Sequence, residues 1–575
     1  MNYKESYNEW LENPYFDEAT KEELRAIAGD EKEIEDRFYM ELEFGTAGLR
    51  GVIGAGMNRM NIYTVRKATQ GLANYICSLG VQDKGVAIAY DSRNNSELFA
   101  KVSACVLASE GIKAYIFNGI RPTPELSYAV RKLNTVAGIN ITASHNPKEY
   151  NGYKAYWEDG AQISPEQAKI VSAERARFDV LDMSELPDFD KAVEDGKIVV
   201  LDEKFDEFYI EEVLKTAISK DAVKSVADEL RVVYTPLHGA GYKLVPEVFK
   251  RVGLKHLYTV DEQMIPDGNF PTVKKPNPEY ADVFAKGIDI ANDVGSDLII
   301  ATDPDSDRVG VMARNKEGDF VTISGNQMGA LLLDYAIRER RNLGKLPEGA
   351  YAIKSIVSTD MAYGIAKKQG IKLHDVLTGF KFIGEVIKNY EAKGQTDGFV
   401  LGFEESYGYL LGTYARDKDA VEASIMILEM TAFYKKQNMT LCDALENLYE
   451  VYGNYKEAMI DIYMEGFDGI ERRKRVMASL RENSPKCFGE YSVLSVGDYL
   501  ASTVKNIKTG EVSSTGQPAS DVLYYTLENE DKIIVRPSGT EPKIKIYVLA
   551  HDSSMENLDK KIKVYSAAAK QLADV

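Results

Sequence analysis

A serine in a polar turn is the first candidate nucleophile in this sequence. Residues 135–139 form an apolar run that predicts a buried strand, and Asn140-Ile141-Thr142-Ala143-Ser144-His145-Asn146-Pro147 follows it. Polar residues that bond their own backbone, followed by a proline, predict that the strand opens into an exposed loop. Ligands of open α/β sheets bind at such strand ends. Alone, such a serine is more often an ordinary turn residue, so the case for Ser144 depends on the other motifs.

Three carboxylates at alternate positions follow a second apolar strand. The strand is predicted over 297–302, and Asp303-Pro304-Asp305-Ser306-Asp307-Arg308 comes directly after it. Such carboxylates repel one another unless a cation neutralises them, and oxygen ligands favour a hard ion such as Mg²⁺. A helix-loop-helix calcium site is excluded, because it needs Gly and Glu where this chain has Arg308 and Arg314. The remaining alternative is a solvated acidic turn.

A third apolar strand, predicted over 398–403, ends in Glu404-Glu405-Ser406-Tyr407-Gly408. Two carboxylates beside a hydroxyl suit the hydroxyl groups of a sugar. Because adjacent side chains of an extended chain point in opposite directions, only one of the two glutamates faces a ligand unless the chain bends. An ordinary acidic loop is the alternative.

Cations and hydroxyls gather at the tip of a predicted hairpin near the end of the chain. Its strands are predicted over 533–535 and 544–548, and Arg536-Pro537-Ser538-Gly539-Thr540-Glu541-Pro542-Lys543 joins them. Arginine can bind phosphate oxygens through two parallel hydrogen bonds, and a glycine leaves backbone N–H groups accessible to an anion. The sequence therefore predicts a phosphate site, built from Arg536, Ser538, Gly539, Thr540 and Lys543. It contains no Walker-type loop.

Composition limits the class of protein. A chain of 575 residues predicts three to five domains. With 70 basic and 89 acidic residues the net charge is -19, which argues against nucleic acid or an anionic membrane as a partner. The first residues show no signal pattern and no apolar run reaches spanning length, so we expect a cytoplasmic protein. The 4 cysteines have no metal spacing and are expected to be reduced.

Strands and helices alternate along most of the chain. Strands predicted over 85–90 and 113–117 flank a helix that begins near Ser96, which is a βαβ unit. The pattern recurs before the strand at 297–302 and begins again near Tyr351. The sequence thus predicts an α/β fold in which each of three repeats presents its functional loop at the end of a strand. The last region differs, with short strands and an amphipathic helix over 555–575.

Together the four motifs resemble those of the α-D-phosphohexomutase family, in the same order and at matching separations. They are Thr142-Ala143-Ser144-His145-Asn146-Pro147, Asp303-Pro304-Asp305-Ser306-Asp307-Arg308, Gly402-Phe403-Glu404-Glu405-Ser406 and Arg536-Pro537-Ser538-Gly539-Thr540. Three further segments resemble the family, at 44–51, 276–279 and 378–381. The Glu-Glu-Ser loop is similar to that of the phosphoglucomutase and phosphopentomutase branch, and differs from the Glu-Met-Ser-Gly loop of other members.

The resemblance implies three similar α/β domains with mixed sheets around a central cleft, and a smaller α+β domain at the C-terminal end. We expect the boundaries near 205, 320 and 455. The four domains would carry the phosphoserine loop, the metal loop, the sugar loop and the phosphate hairpin, over 1–205, 206–320, 321–455 and 456–575. No linker composition marks these boundaries.

The resemblance also implies a reaction. Ser144 would carry a phosphate, of which one oxygen completes the coordination of Mg²⁺ at Asp303, Asp305 and Asp307. Glucose 1-phosphate and glucose 6-phosphate would interconvert through glucose 1,6-bisphosphate, which is also the expected activator. The sequence leaves open mannose or pentose phosphates as substrates, a Mg²⁺ phosphatase, a non-catalytic sugar-phosphate sensor, and a monomer or a homodimer.

Two lysines are candidates for the general base. Asn151-Gly152 predicts a tight turn after the serine loop, and a returning strand over 153–157 would aim Lys154 at Ser144. Lys381 matches the base-bearing loop of the family.

The resemblance gives the remaining motif residues roles around these groups. His145 would orient the serine loop, and Arg50 would be one of the catalytic residues. The expected substrate-binding residues are Arg308, Glu404, Glu405 and Ser406.

Overall fold

The computed structural model describes residues 2–45, 48–179, 181, 185–464, 466–538 and 543–572. The fold is α/β, with three domains built on mixed sheets and a C-terminal domain rich in strands, as predicted. Among the described residues, none of the helices is both long enough and apolar enough to cross a bilayer.

The first domain begins with three short helices and continues as a six-stranded sheet with helices on its faces. Its helices are α1 (Tyr3–Glu12), α2 (Glu18–Ala26), α3 (Glu31–Phe38), α4 (Ile62–Leu79), α5 (Ser96–Ser109), α6 (Thr123–Leu133), α7 (Pro165–Arg175) and α8 (Phe189–Glu194). Its strands are β1 (Gly48–Val52), β2 (Val86–Tyr90), β3 (Ala114–Phe117), β4 (Ala137–Ile141), β5 (Tyr150–Trp157) and β6 (Ile198–Leu201). The strand order is β1-β5-β4-β2-β3-β6, and only the pairings of β5 with β1 and β4 are antiparallel.

The strands around the serine loop differ from the prediction. Asn151 and Gly152 lie inside β5, where they pair with Gly51 and Arg50, so the tight turn predicted there is wrong. The connection between β4 and β5 is the serine loop itself. Position 152 needs a glycine because two backbone segments lie close together here. A Cβ at this position would lie 2.4 Å from the carbonyl oxygen of Thr142.

The second domain is a smaller α/β unit. Its helices are α9 (Glu203–Lys215), α10 (Ala222–Ser225), α11 (Gly241–Val252) and α12 (Ala285–Val294). Its strands are β7 (Arg231–Thr235), β8 (His256–Thr259), β9 (Leu298–Thr302), β10 (Val309–Arg314) and β11 (Phe320–Ile323), in the order β11-β10-β9-β7-β8. Helix α9 spans residue 205, and β11 pairs with β10 beyond residue 320. We therefore propose that the boundary between the second and third domains lies after Ile323.

The third domain has a four-stranded sheet. Its helices are α13 (Gly325–Asn342), α14 (Met361–Gln369), α15 (Phe380–Glu391), α16 (Ala420–Lys435) and α17 (Leu441–Tyr452). Its strands are β12 (Tyr351–Ser355), β13 (Lys372–Val376), β14 (Phe399–Glu404) and β15 (Gly408–Leu410), in the order β13-β12-β14-β15. Only β15 is antiparallel to its neighbour.

The fourth domain is an antiparallel sheet with two helices. The helices are α18 (Gly466–Glu482) and α19 (Met555–Gln571). The strands are β16 (Asn454–Tyr463), β17 (Cys487–Phe488), β18 (Tyr491–Asp498), β19 (Thr503–Asn506), β20 (Val512–Ser514), β21 (Leu523–Leu527), β22 (Lys532–Pro537) and β23 (Lys543–Asp552). The main strand order is β16-β23-β22-β21-β18-β19-β20.

Helix α16 lies in a core that the first three domains share. Its residues are mostly apolar on every face and almost all are buried, which is typical of a helix surrounded by protein. The same core contains Ala87 of the first sheet, Val232 of the second sheet and Leu331 of α13. The fourth domain meets the third through a smaller apolar cluster that includes Ile356 and Tyr547. The functional loops of the first three domains are thus fixed by common packing.

Candidate active site

Ser144 lies at the contact between the first and second domains. Its backbone is left-handed, with φ 51°, and its N–H donates to Oγ1 of Thr142 at 2.8 Å. Its Oγ donates to Oδ2 of Asp303 at 3.0 Å and lies 3.1 Å from Nδ1 of His145. The exposed loop predicted here is wrong for Ser144, which is 3% exposed because the second domain covers it.

Asp303, Asp305 and Asp307 form a buried carboxylate cluster. One oxygen from each lies within 4.8 Å of the others. Oδ1 of Asp303 accepts hydrogen bonds from the backbone N–H groups of Asp307 and Arg308. Within the described part of the chain, Oδ1 of Asp305 and Oδ1 of Asp307 accept no hydrogen bond. Buried oxygens without donors are costly unless a cation binds them, so this donor set fits a hard divalent ion.

The three carboxyl groups are electrostatically unequal. Burial and the charges of Asp305 and Asp307 raise the pKa of Asp303 well above its ordinary value. Burial acts on Asp305 too, but the ammonium group of Lys154 holds the pKa of Asp305 below its ordinary value. A bound cation would favour the ionised form of all three groups.

Two lysines contact this cluster. Nζ of Lys154, which the sequence predicted to aim at Ser144, lies 2.8 Å from Oδ2 of Asp305. Nζ of Lys418 lies 3.1 Å from Oδ2 of Asp307 and 3.0 Å from Oδ1 of Asp417. Burial would lower the pKa of Lys418, but these carboxylates raise it, so the group stays charged. Lysine ammonium groups thus contact Asp305 and Asp307.

Sequence reasoning missed Lys418. The signal was present, because the charged run Arg416-Asp417-Lys418-Asp419 directly precedes α16, which has no polar face. All four of these residues are buried. A charged run beside such a helix has no solvent to face and must have internal partners.

Thr123 is a second missed residue. It is the first residue of α6, and its N–H donates to the carbonyl oxygen of Asp305 at 2.8 Å. Its Oγ1 donates to Oδ2 of Asp305 at 2.9 Å. The first domain thereby fixes both the backbone and the side chain of a metal-ligand candidate in the second domain.

Cations surround the serine loop although the whole chain is acidic. Nη1 of Arg50 donates to Oδ1 of Asn146 at 3.0 Å, and Nη1 of Arg308 lies 2.7 Å from Oε1 of Glu279. Burial, Arg308 and Arg50 together lower the pKa of His145 well below its ordinary value, so its ring is neutral. This arrangement provides positive potential for a phosphate without a charge on His145.

The sugar loop follows β14, and its two glutamates have different partners. Oε1 of Glu404 accepts the N–H of Gly379 at 2.7 Å, and burial raises the pKa of Glu404. Oε2 of Glu405 accepts Oγ of Ser355 at 3.0 Å. Ser406 lies in the turn that follows them and is partly exposed. The two carboxylates therefore bond to different segments of the third domain, and Glu405 already lies in the turn that follows β14.

Lys381 lies in the first turn of α15. Its Nζ lies 5.5 Å from the centroid of the Phe382 ring. Burial lowers the pKa of Lys381, against the opposing charge of Glu166. The other predicted base candidate, Lys154, contacts the carboxylate cluster directly.

The phosphate hairpin is described in part, because Gly539 and Thr540 lie outside the described residues. Arg536 is the register partner of Lys545 across β22 and β23. The N–H of Ser538 donates to the carbonyl oxygen of Lys543 at 2.9 Å. Two cations directly opposite each other on neighbouring strands repel, so an anion between them would stabilise the pair.

Lys543 lies on the same face of the sheet as Arg536, and its ammonium group pairs with a carboxylate. Its Nζ lies 2.8 Å from Oδ2 of Asp461 on β16. Lys545 was missed by sequence reasoning, although its position two residues later in the strand places it on the same face as Lys543. Burial lowers the pKa of Lys545, and the nearby charge of Glu279 in the second domain opposes this effect.

One residue in each of three functional loops has a left-handed backbone without being glycine. These are Ser144, Ser306 and Tyr407, with φ values of 51°, 49° and 66°. Such conformations are costly and persist where the surrounding structure enforces them, which is common at functional sites.

Models of one family match most of this chain. The matching descriptions are phosphoglucomutase/phosphomannomutase, alpha/beta/alpha domains I, II and III, over residues 41–178, 207–318 and 324–452. A phosphoglucomutase of Staphylococcus aureus (strain USA300) is 36% identical over 542 residues, which are 92% of this chain and 94% of that protein. A phosphoglucomutase of Staphylococcus saprophyticus is 36% identical over 555 residues, which are 96% of each chain.

Two solved structures share the fold at lower identity. A phosphoglucomutase/phosphomannomutase family protein from Burkholderia thailandensis has a TM-score of 0.65 and 18% identity, and the match covers 92% of this chain and 97% of that one. The open form of the phosphoglucomutase parafusin from Paramecium has a TM-score of 0.65 and 19% identity, with coverage of 93% and 95%.

Proposed function

The chain belongs to the α-D-phosphohexomutase family, and from this membership we propose that it is a phosphoglucomutase that interconverts glucose 1-phosphate and glucose 6-phosphate. The reaction proceeds through a phosphoserine at Ser144 and a bound glucose 1,6-bisphosphate. The observation that carries this proposal is the 3.0 Å contact between Oγ of Ser144 and the buried aspartate cluster. A nucleophile beside a set of oxygen ligands is the arrangement that metal-assisted phosphoryl transfer requires.

Asp303, Asp305 and Asp307 would hold Mg²⁺, and the phosphate carried by Ser144 would supply a further oxygen ligand. When bound, the ion neutralises charge on the transferring phosphoryl group and on the serine oxygen. The left-handed backbone of Ser144 directs its oxygen toward Asp303, and the neutral ring of His145 can hydrogen-bond that oxygen. The cations Arg50 and Arg308 add positive potential for the phosphate.

Proton transfer to and from the sugar hydroxyl is assigned to Lys154. Its Nζ lies 2.8 Å from Oδ2 of Asp305, in the same cluster whose Asp303 contacts Oγ of Ser144. Lys381 is the second candidate, because burial lowers its pKa toward the range of a useful base. The charged Lys418 beside Asp307 stabilises the developing negative charge.

The remaining motifs hold the sugar phosphate. Arg536, Ser538, Gly539, Thr540 and Lys543 are assigned to the phosphate that is not reacting. Glu404, Glu405 and Ser406 are assigned to the ring hydroxyls, with Arg308 nearby. After the first transfer the bisphosphate turns over, so that either phosphate can occupy the same distal site. Free glucose 1,6-bisphosphate phosphorylates Ser144 and thus acts as the activator.

A coupled assay tests the proposed substrate. Initial rates are measured with glucose 1-phosphate, mannose 1-phosphate and ribose 1-phosphate, each with Mg²⁺ and a trace of the matching bisphosphate. We expect the highest kcat/KM with glucose 1-phosphate, because a site built for one set of hydroxyls leaves polar groups unpaired with another. A mannose or ribose substrate that proved tenfold better would overturn the choice of sugar and leave the fold unchanged. Binding of all three without turnover would indicate a sensor.

A further inference from the structure

The guanidinium group of Arg93 donates several hydrogen bonds to the backbone of the serine loop. It follows β2, and its side chain is buried. Nη2 donates to the carbonyl oxygens of Ser144 and Asn146, each at 2.5 Å. Nη1 donates to the carbonyl oxygens of Pro147 and Tyr150, each at 2.9 Å. One side chain thus satisfies four acceptors along the whole connection between β4 and β5.

Asp91 links Arg93 to Thr142, the residue that accepts the N–H of Ser144. Its Oδ2 lies 3.3 Å from Nε of Arg93 and accepts a hydrogen bond from Oγ1 of Thr142 at 2.6 Å. The same Thr142 oxygen accepts the N–H of Ser144 at 2.8 Å. The backbone of Ser144 is therefore held at its N–H through Asp91 and Thr142, and at its carbonyl by Arg93.

The second domain covers the guanidinium. The ring of Phe270 lies 5.1 Å from Cζ of Arg93, and Nδ2 of Asn94 donates to Oδ1 of Asn269 at 3.1 Å. A Cβ on Gly268 would lie 2.4 Å from the N atom of Asn94, so the two segments are in close contact. The domain that supplies the aspartate cluster therefore also encloses Arg93.

We propose that Arg93 is a positioning residue for phosphoryl transfer, which holds Ser144 in the left-handed conformation that aims Oγ at the aspartate cluster. The inference rests on the proposed phosphoserine mechanism. A left-handed serine is a minority conformation, so its carbonyl and N–H need external partners to maintain it. An error of about 1 Å in the reacting oxygen can lower a rate about 100-fold. The effect of Arg93 therefore falls on the transfer step rather than on substrate affinity.

Arg93→Lys tests this assignment, because the ammonium group keeps the charge but cannot reach four carbonyls in a fixed plane. Each protein is phosphorylated with glucose 1,6-bisphosphate, and the phosphate on Ser144 is quantified. Transfer to glucose 1-phosphate is then followed in a single turnover. We expect the rate per phosphorylated chain to fall about 100-fold, while KM changes by less than about threefold.

Arg175→Lys is the matched control. Arg175 is a buried arginine of the same domain, and its Nη2 lies 2.9 Å from Oε2 of Glu41 rather than near the serine loop. This variant should have a lower melting temperature than the wild type but an unchanged transfer rate per phosphorylated chain. A merely structural role of Arg93 would give the same result for Arg93→Lys, and would overturn the proposal.

If Arg93→Lys does not fold, Arg93→Gln tests Arg93 by the same rate per phosphorylated chain, and a wild-type rate would overturn the proposal. Thr142→Val tests the contact at the N–H of Ser144. Valine keeps the shape but removes the oxygen that accepts the N–H of Ser144. We expect a rate per phosphorylated chain that is at least about tenfold lower, with KM little changed. A wild-type rate in this variant would contradict the positioning network. If the active wild-type protein carried no phosphate on Ser144, the proposed mechanism would fail first, and the inference with it.

Discussion

Oγ of Ser144 and Oδ2 of Asp303 lie 3.0 Å apart although the two residues are 159 positions apart in the sequence. One belongs to the first sheet's loop and the other to the end of β9, so the contact exists only when the two domains pack together. Thr123 reinforces the same contact through Asp305. The candidate nucleophile and metal ligands are therefore assembled by interdomain packing, in a core that α16 shares with both.

Removal of divalent metal should stop activity, and Mg²⁺ should restore it better than Ca²⁺. Ca²⁺ prefers larger and looser coordination than three carboxylates in a compact buried cluster provide. Asp305→Asn should raise the Mg²⁺ concentration for half-maximal activity by more than about tenfold, since even outer-shell changes cost roughly that much. Asp289→Asn, an exposed position in the same domain, is the control. Full activity in excess chelator would disprove the metal assignment.

Arg536→Ala should weaken the binding of both the monophosphate and the bisphosphate. A lost charge-assisted contact costs about 1.5 to 3 kcal/mol, and calorimetry with phosphoserine-free protein measures it directly. Lys508→Ala removes an exposed positive charge from the same domain and should leave both affinities unchanged. If Arg536→Ala binds both ligands normally, the distal phosphate lies elsewhere.

Glu404→Gln should lower kcat/KM for glucose 1-phosphate more than for simpler phosphate substrates. The amide keeps the shape and can still accept the N–H of Gly379, but it loses the charge offered to ring hydroxyls. Glu348→Gln, an exposed glutamate of the third domain, controls for the loss of one charge. Equal losses on all substrates would mean that Glu404 does not distinguish the sugar.

Ser144 and the aspartates could be chosen as candidates from the sequence because each follows an apolar strand within a few residues, and the structure brings them into contact. Thr123 and Arg93 belong to none of the four motifs, and only the structure shows their partners in other segments of the chain. For Lys418 the sequence offers one signal, its place in a charged run beside the apolar helix α16. The turn predicted at Asn151-Gly152 is wrong because these residues pair with another segment, strand β1. Local turn preference was overridden by the need for a small residue beside a neighbouring backbone.

Glu422 gives the fold a testable dependence on pH. Burial, followed by the charge of Asp419, raises the pKa of Glu422 from 4.5 to about 8, against Leu411 N–H, Thr216 and Arg340. Between these values the folded chain keeps a proton that the unfolded chain has released, so the free energy of unfolding falls as pH rises through this window.

Glu422→Gln cannot ionise, so its melting temperature should fall less than that of the wild type from about pH 5 to about pH 9. Melting curves of both proteins measure the difference, with Glu348→Gln as an exposed control. Parallel curves for the wild type and Glu422→Gln would show that this carboxyl does not titrate in the window.

The phosphorylation state of Ser144 is the most direct measurement of the proposed mechanism. Intact-protein mass and peptide mapping are recorded after incubation with glucose 1,6-bisphosphate and again after excess glucose 1-phosphate is added. We predict one phosphate per chain on Ser144, its transfer to the sugar, and neither phosphate nor turnover in a folded Ser144→Ala protein. Near-normal mutase activity in Ser144→Ala, or an active wild-type protein whose Ser144 never carries phosphate, would contradict the mechanism.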